Sequence, residues 1–139
     1  MQLRKAKERQ FGLIVLDAFS SDAVPTHLLT KEAVELYLDK LAPGGTIAMH
    51  ISNTYLDLRP VIAGLAQSAN LICLANDDLP KQMANAGEFQ DPALWIVLAR
   101  RTEDFGTLAE HPQWHRLQTT TPILWTDDYS NLLSVFRRR

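Results

Sequence analysis

The sequence predicts an α/β domain of three layers around a mostly parallel sheet, with the last strand antiparallel. Three observations carry that expectation. Short, nearly continuous apolar runs recur at 11–16, 46–51, 71–75 and 94–99, which suits strands covered on both faces. Amphipathic segments of helical length separate the first three runs, as crossovers between parallel strands require. No such segment separates the third run from the fourth, so the fourth strand can run the other way.

Taken in order, residues 1–10 (MQLRKAKERQ) have only Leu3 and Ala6 as apolar anchors and read as a short exposed helix. The run FGLIVL at 11–16 is rich in β-branched residues and stops at Asp17. Ser20, Ser21, Asp22 and Pro25 carry loop chemistry, and Thr30 is placed to cap a helix over 31–41. Within that helix Val34, Tyr37, Leu38 and Leu41 recur at three- and four-residue spacing, so one face packs on the sheet. Pro43, Gly44 and Gly45 end it, with the glycines at a C-cap position.

A buried strand over 46–51 follows and runs into His50, Ser52 and Asn53. The second helix spans 58–68, with Pro60 tolerated in its first turn. Strand 71–75 gives way to Asn76, Asp77 and Asp78, and 79–91 lacks periodicity and reads as a loop. After strand 94–99 comes a short helix near 103–111, an irregular segment, and 131–136, which reads as either strand or helix.

Composition bounds the function. At 139 residues the chain is expected to be a single domain spanning 1–139. A hydrophobic fraction of 46% and a mean hydropathy of -0.12 exclude a disordered or low-complexity chain. The net charge of -2 offers no global positive field for nucleic acid, and the basic end Arg137, Arg138 and Arg139 reads as a solvated tail. No apolar run is long enough to cross a bilayer, so a cytoplasmic protein without a membrane partner is expected. The single cysteine, Cys73, excludes an intrachain disulfide and reads as a small buried hydrophobe. His27, His111 and His115 lack partners at metal-ligand spacing, so no metal is expected. Ser20 and Ser21 do not stand in a nucleophile elbow, and no glycine-rich nucleotide loop occurs in the chain.

In open α/β sheets, ligands bind beyond the carboxyl ends of the strands. Three polar clusters fall at that edge: Asp17 with Ser20, Ser21 and Asp22; His50 with Ser52 and Asn53; and Asn76 with Asp77 and Asp78. Together they describe an acidic cleft suited to a cationic ligand. Asp17 reads either as a turn cap or as a partly desolvated base whose proton affinity Asp22 would raise. His50 reads as a backbone-bonded or a ligand-contacting histidine. A fourth group, WTDDYS at 125–130, could line an amine site with Trp125 and Tyr129 as walls and Asp127 and Asp128 as acids, or could cap a helix.

The segments LDAFSSDAVP, HLLTKEAVELYLDKLAPGG, HISNTYLDL and WTDDYSNLLSV, in that order, resemble the spermidine synthase-like (polyamine aminopropyltransferase) family over about residues 10–136. The resemblance implies a Rossmann-like fold of the AdoMet-dependent methyltransferase type. It implies aminopropyl transfer from decarboxylated AdoMet, a co-substrate and not a prosthetic group, to putrescine or a similar polyamine.

By the same resemblance, Asp17 is similar to the catalytic proton acceptor and Asp22 to the polyamine-binding carboxylate. Pro25 is similar to the proline lining the nucleoside pocket, and Asp128 and Tyr129 are candidate amine contacts. Asp17 and Asp22 stand two residues farther apart than the family's acids do. The family's glycine-rich loop, ribose-binding acid and N-terminal β-domain would precede residue 1. The chain is thus expected to correspond to the back half of the fold, with only half a nucleoside pocket, and to form a homodimer or to pair with another chain through its first strand. An AdoMet-dependent methyltransferase using another acceptor, and a non-catalytic interaction module, are the rival readings.

Overall fold

Five strands form one mixed sheet in the order β1-β2-β4-β3-β5 in the computed structural model, which describes residues 2–17, 24–51, 56–76, 94–117, 119 and 121–136. The strands are β1 (Phe11–Leu16), β2 (Leu41–His50), β3 (Ile72–Asn76), β4 (Trp95–Ala99) and β5 (His115–Arg116), and the α-helices are α1 (Lys31–Lys40) and α2 (Arg59–Ser68). β1 and β2 pair in parallel, as a crossover through α1 demands. β4 is antiparallel to both its neighbours, β2 and β3, so β1, β2 and β3 share one direction. The expected reversal of the fourth apolar run is therefore present. The expected predominance of parallel pairs is not, because the reversed strand inserts between β2 and β3 and β5 adds a further antiparallel pair.

Local chemistry accounts for the helices. The Thr30 side chain accepts the Ala33 backbone N–H at 3.2 Å and caps α1. Tyr37 turns inward and donates its hydroxyl to the Leu28 carbonyl at 2.9 Å. In α2, Pro60 occupies the first turn, where its missing N–H leaves no helical bond unmade. Gly64 sits where the helix passes the backbone of Ile123, and a Cβ there would collide with the Ile123 carbonyl.

Several elements differ from the sequence expectations. At the N-terminus only a 3-10 turn forms, Gln2–Lys5. α1 ends at Lys40 with an extended Leu41, so Pro43, Gly44 and Gly45 do not cap it. They bulge out of β2 instead: partners shift from Phe11↔Leu41 to Leu13↔Thr46, and Gly44 takes φ 77°, a conformation open to glycine. The segment near 103–111 is a 3-10 element, Thr102–Glu110, interrupted by Gly106 at φ 59°. Residues 131–136 resolve into a 3-10 turn, Leu132–Val135, followed by a bridge from Phe136 to Leu56. The loop expected over 79–91 lies outside the described residues.

The alternation of side chains along each strand sorts the sheet into two faces. One carries Ile14, Ile47, Met49, Cys73, Ile96 and Leu98 into the main core under α1 and α2. The opposite face is thinner, with Leu74, Val97 and Ala99 packed against Phe105, Leu108 and Trp114. That cover stops short of β1, leaving Leu13 55% and Val15 52% exposed. The expectation that 11–16 is buried on both faces is corrected on this point. Among the described residues, β1 is an edge strand with a helix layer on one side only.

Two outcomes follow from this packing. Gly64→Ala must displace backbone, not a flexible side-chain end, and is expected to lower the unfolding free energy by about 1–3 kcal/mol in urea titration. Burial raises the Cys73 thiol from 9.0 to about 12 and the Tyr37 phenol from 10.0 to about 12. The unfolded chain loses these protons first, so stability is full below about pH 9 and declines as pH rises toward 12. The double variant Cys73→Ala, Tyr37→Phe is expected to show a shallower decline over that range; an unchanged slope would locate the alkaline sensitivity elsewhere.

Candidate functional site

The register of the sheet lines up four polar or aromatic residues at the carboxyl end of the three co-directional strands. Leu16 stands beside Met49, so the next residues, Asp17 and His50, meet just past the end of β1. His50 stands opposite Trp95, and Trp95 opposite Asn76. Asp17, His50, Trp95 and Asn76 thus form one row across β1, β2, β4 and β3. By alternation they share the face of Leu13, Val15, Ala48, Val97 and Leu74.

Contacts along the row are specific. His50 Nδ1 lies 2.8 Å from Asp17 Oδ1. The imidazole stacks on the Trp95 indole, with centroids 4.9 Å apart and planes inclined by 25°. Asn76 is buried at 6% exposure, and its Oδ1 has no hydrogen-bond partner among the described residues. The Asp17 carboxylate is 60% exposed on its side chain and the His50 ring 19%. An accessible acid oriented by an imidazole, beside an aromatic wall, can accept a proton from a bound amine or hold an ammonium.

A concavity of about 430 Å³ opens elsewhere, at the N-terminal end of α1, lined in part by Arg4, His27, Thr30, Glu32, Asp127 and Ser130. The turn at 125–130 docks here. The Lys31 N–H donates to the Trp125 carbonyl at 2.8 Å, the Thr30 hydroxyl to Asp127 Oδ1 at 2.6 Å, and the Asp127 N–H to Glu32 Oε2 at 2.9 Å. Paired bonds between Thr126 and Tyr129 close the turn.

The placement of the expected residues is therefore uneven. Asp17 sits at the carboxyl edge with His50, and Pro25 opens the 3-10 turn Thr26–Leu28 ahead of α1. Asp22 lies outside the described residues, as do Ser20, Ser21, Ser52, Asn53, Asp77, Asp78 and the basic tail Arg137, Arg138 and Arg139. Asp128 and Tyr129 are exposed at the tip of the docked turn, whereas its Asp127 and Ser130 reach the concavity. Trp125 is wholly buried and serves as core, not as a ligand wall.

Trp95 and Asn76 were not singled out by the sequence as a pair. Their partnership exists only because β4 inserts between β2 and β3, although Asn76 did fall at a strand end. Among the described residues no group of three or more His, Cys, Asp or Glu side chains is arranged to hold a metal, and no helix is long and apolar enough to cross a membrane.

A scan against protein-family models finds no match to this chain, and a search of curated proteins finds no significant relative.

Proposed function

We propose that this chain is a spermidine synthase-like aminopropyltransferase domain that works on decarboxylated AdoMet and a polyamine such as putrescine. The observation that carries the reading is the Asp17 carboxylate, exposed at the end of β1 and held by His50 at 2.8 Å. The reversed strand β4 agrees with the methyltransferase-type, Rossmann-like sheet that the sequence resemblance implies.

The chemistry asks for a group of this kind. The amine lone pair attacks the methylene carbon bonded to the donor's sulfonium, the C–N bond forms, and the C–S bond breaks. Sulfur takes the bonding pair and leaves as a neutral thioether, so the leaving group needs no acid. The amine needs a base, because it is protonated in neutral solution and an ammonium has no lone pair. With Nδ1 protonated, His50 donates to Asp17 Oδ1 and leaves Oδ2 free to receive that proton. Asp22, Asp128 and Tyr129 remain the amine contacts of this reading, and Pro25 the nucleoside contact.

Exposed Leu13 and Val15, on the edge strand that leads into Asp17, support a further layer over this face of β1.

Calorimetry with decarboxylated AdoMet, AdoMet and methylthioadenosine tests the donor side, and binding of at least one is expected. Putrescine turnover then tests the base: Asp17→Asn is expected to lower it by about 10²–10⁴-fold. Silence with all three nucleosides, or an Asn variant as active as the unaltered chain, rejects the transferase reading.

A further inference from the structure

The row at the carboxyl edge changes character along its length. Asp17 is charged and open to solvent, His50 and Trp95 present two stacked rings, and Asn76 is polar and buried. A buried amide oxygen without a partner is costly, because it gives up its bonds to water and gains none in return. Asn76 has such an oxygen, and no described residue supplies the missing donor. In the register Asn76 pairs with Trp95 of β4, while β5 pairs only with Leu74 and Ala75.

Resting on the amine-site reading above, we infer that Asn76 is the specificity-determining acceptor of this site, taking a hydrogen bond from a second donor at the far end of an aliphatic amine. The ligand lies across the strands with its ammonium at Asp17. Its methylene chain runs along the edges of the stacked His50 and Trp95 rings, where apolar contact favours an alkyl chain. Its other end, an amine or a hydroxyl, enters the buried end of the row and meets Asn76 Oδ1. Three strand spacings separate the outer backbones, about 14 Å. Side-chain reach and a hydrogen bond at each end shorten that to the length of a chain of several methylenes, so a one-ended amine leaves Asn76 unmatched.

The test compares three probes of similar length, butylamine, putrescine and aminobutanol, by calorimetry on the full chain and on Asn76→Leu, which keeps the side-chain shape and removes the amide. The unaltered chain is expected to bind the two-ended probes about tenfold tighter than butylamine, and the variant to bind all three alike at the butylamine level. The melting temperature of the ligand-free variant is expected to equal or exceed that of the unaltered chain, since an unmatched polar group has gone; a fall would mark Asn76 as structural and overturn the inference. A preference for two-ended probes that survives in Asn76→Leu overturns it too, while leaving the amine site standing. Absence of binding by all three probes overturns both. Amine binding with the expected preference but without nucleoside binding rejects the transferase and retains the role of Asn76.

Discussion

The carboxyl edge of this sheet depends on β4, a reversed strand hydrogen-bonded along both of its sides. Five residues, Trp95–Ala99, pair with β2 on one side and with β3 on the other. Four of them are buried. A strand held this way has little freedom to slip, because a shift of one residue would turn Ile96 and Leu98 out of the core and bring Trp95 and Val97 into it. The same pairing that fills the core therefore fixes Trp95 between His50 and Asn76. Asp17 joins the row through the parallel pairing of β1 with β2.

The two faces of the sheet carry different loads. The face under α1 and α2 holds most of the buried side chains, including the fully buried Ile47, Met49 and Ile96. The other has a partial 3-10 cover and an open end at β1. Polar residues collect on that second face at the strand ends, where burial runs from Asp17 inward to Asn76. Such a gradient lets one ligand meet a solvated charge at one end and a dry acceptor at the other. The turn at 125–130 contributes differently. Its bonds to Thr30 and Glu32 tie the C-terminal region to the start of α1, and Asp127 is spent largely on that attachment.

Much of the fold was legible in the sequence because it rests on local patterns. The runs at 11–16, 71–75 and 94–99 became β1, β3 and β4 within one residue at each end, and Thr30 and Pro60 marked the helix starts through capping and first-turn chemistry. What depended on neighbours was not legible. FGLIVL reads as a fully buried strand by composition, yet its exposure is decided by what covers β1. Pro43, Gly44 and Gly45 carry the same conformational freedom at a helix end and in a bulge, and only the register separates the two. Asp17 was recognisable as a strand-end acid, but its bond to His50, 33 residues away, follows from the parallel pairing. Asn76 could be placed at an edge, whereas its unmatched oxygen could not be read from any one-dimensional signal. Trp125, in a segment that reads either as a ligand wall or as a helix cap, is drawn into the core because its carbonyl anchors α1 and its ring fills the space beside it.

Native-state amide hydrogen exchange is the most direct measure of whether β4 organises the sheet and its edge. The amides of Ile96, Val97 and Leu98 are predicted to exchange only through global unfolding, at the slowest rate in the chain, with the outer edge of β1 exchanging far sooner. Exchange of those β4 amides at or before the rate of β1 would contradict the account, since the row from His50 to Asn76 would then lack the strand that holds it.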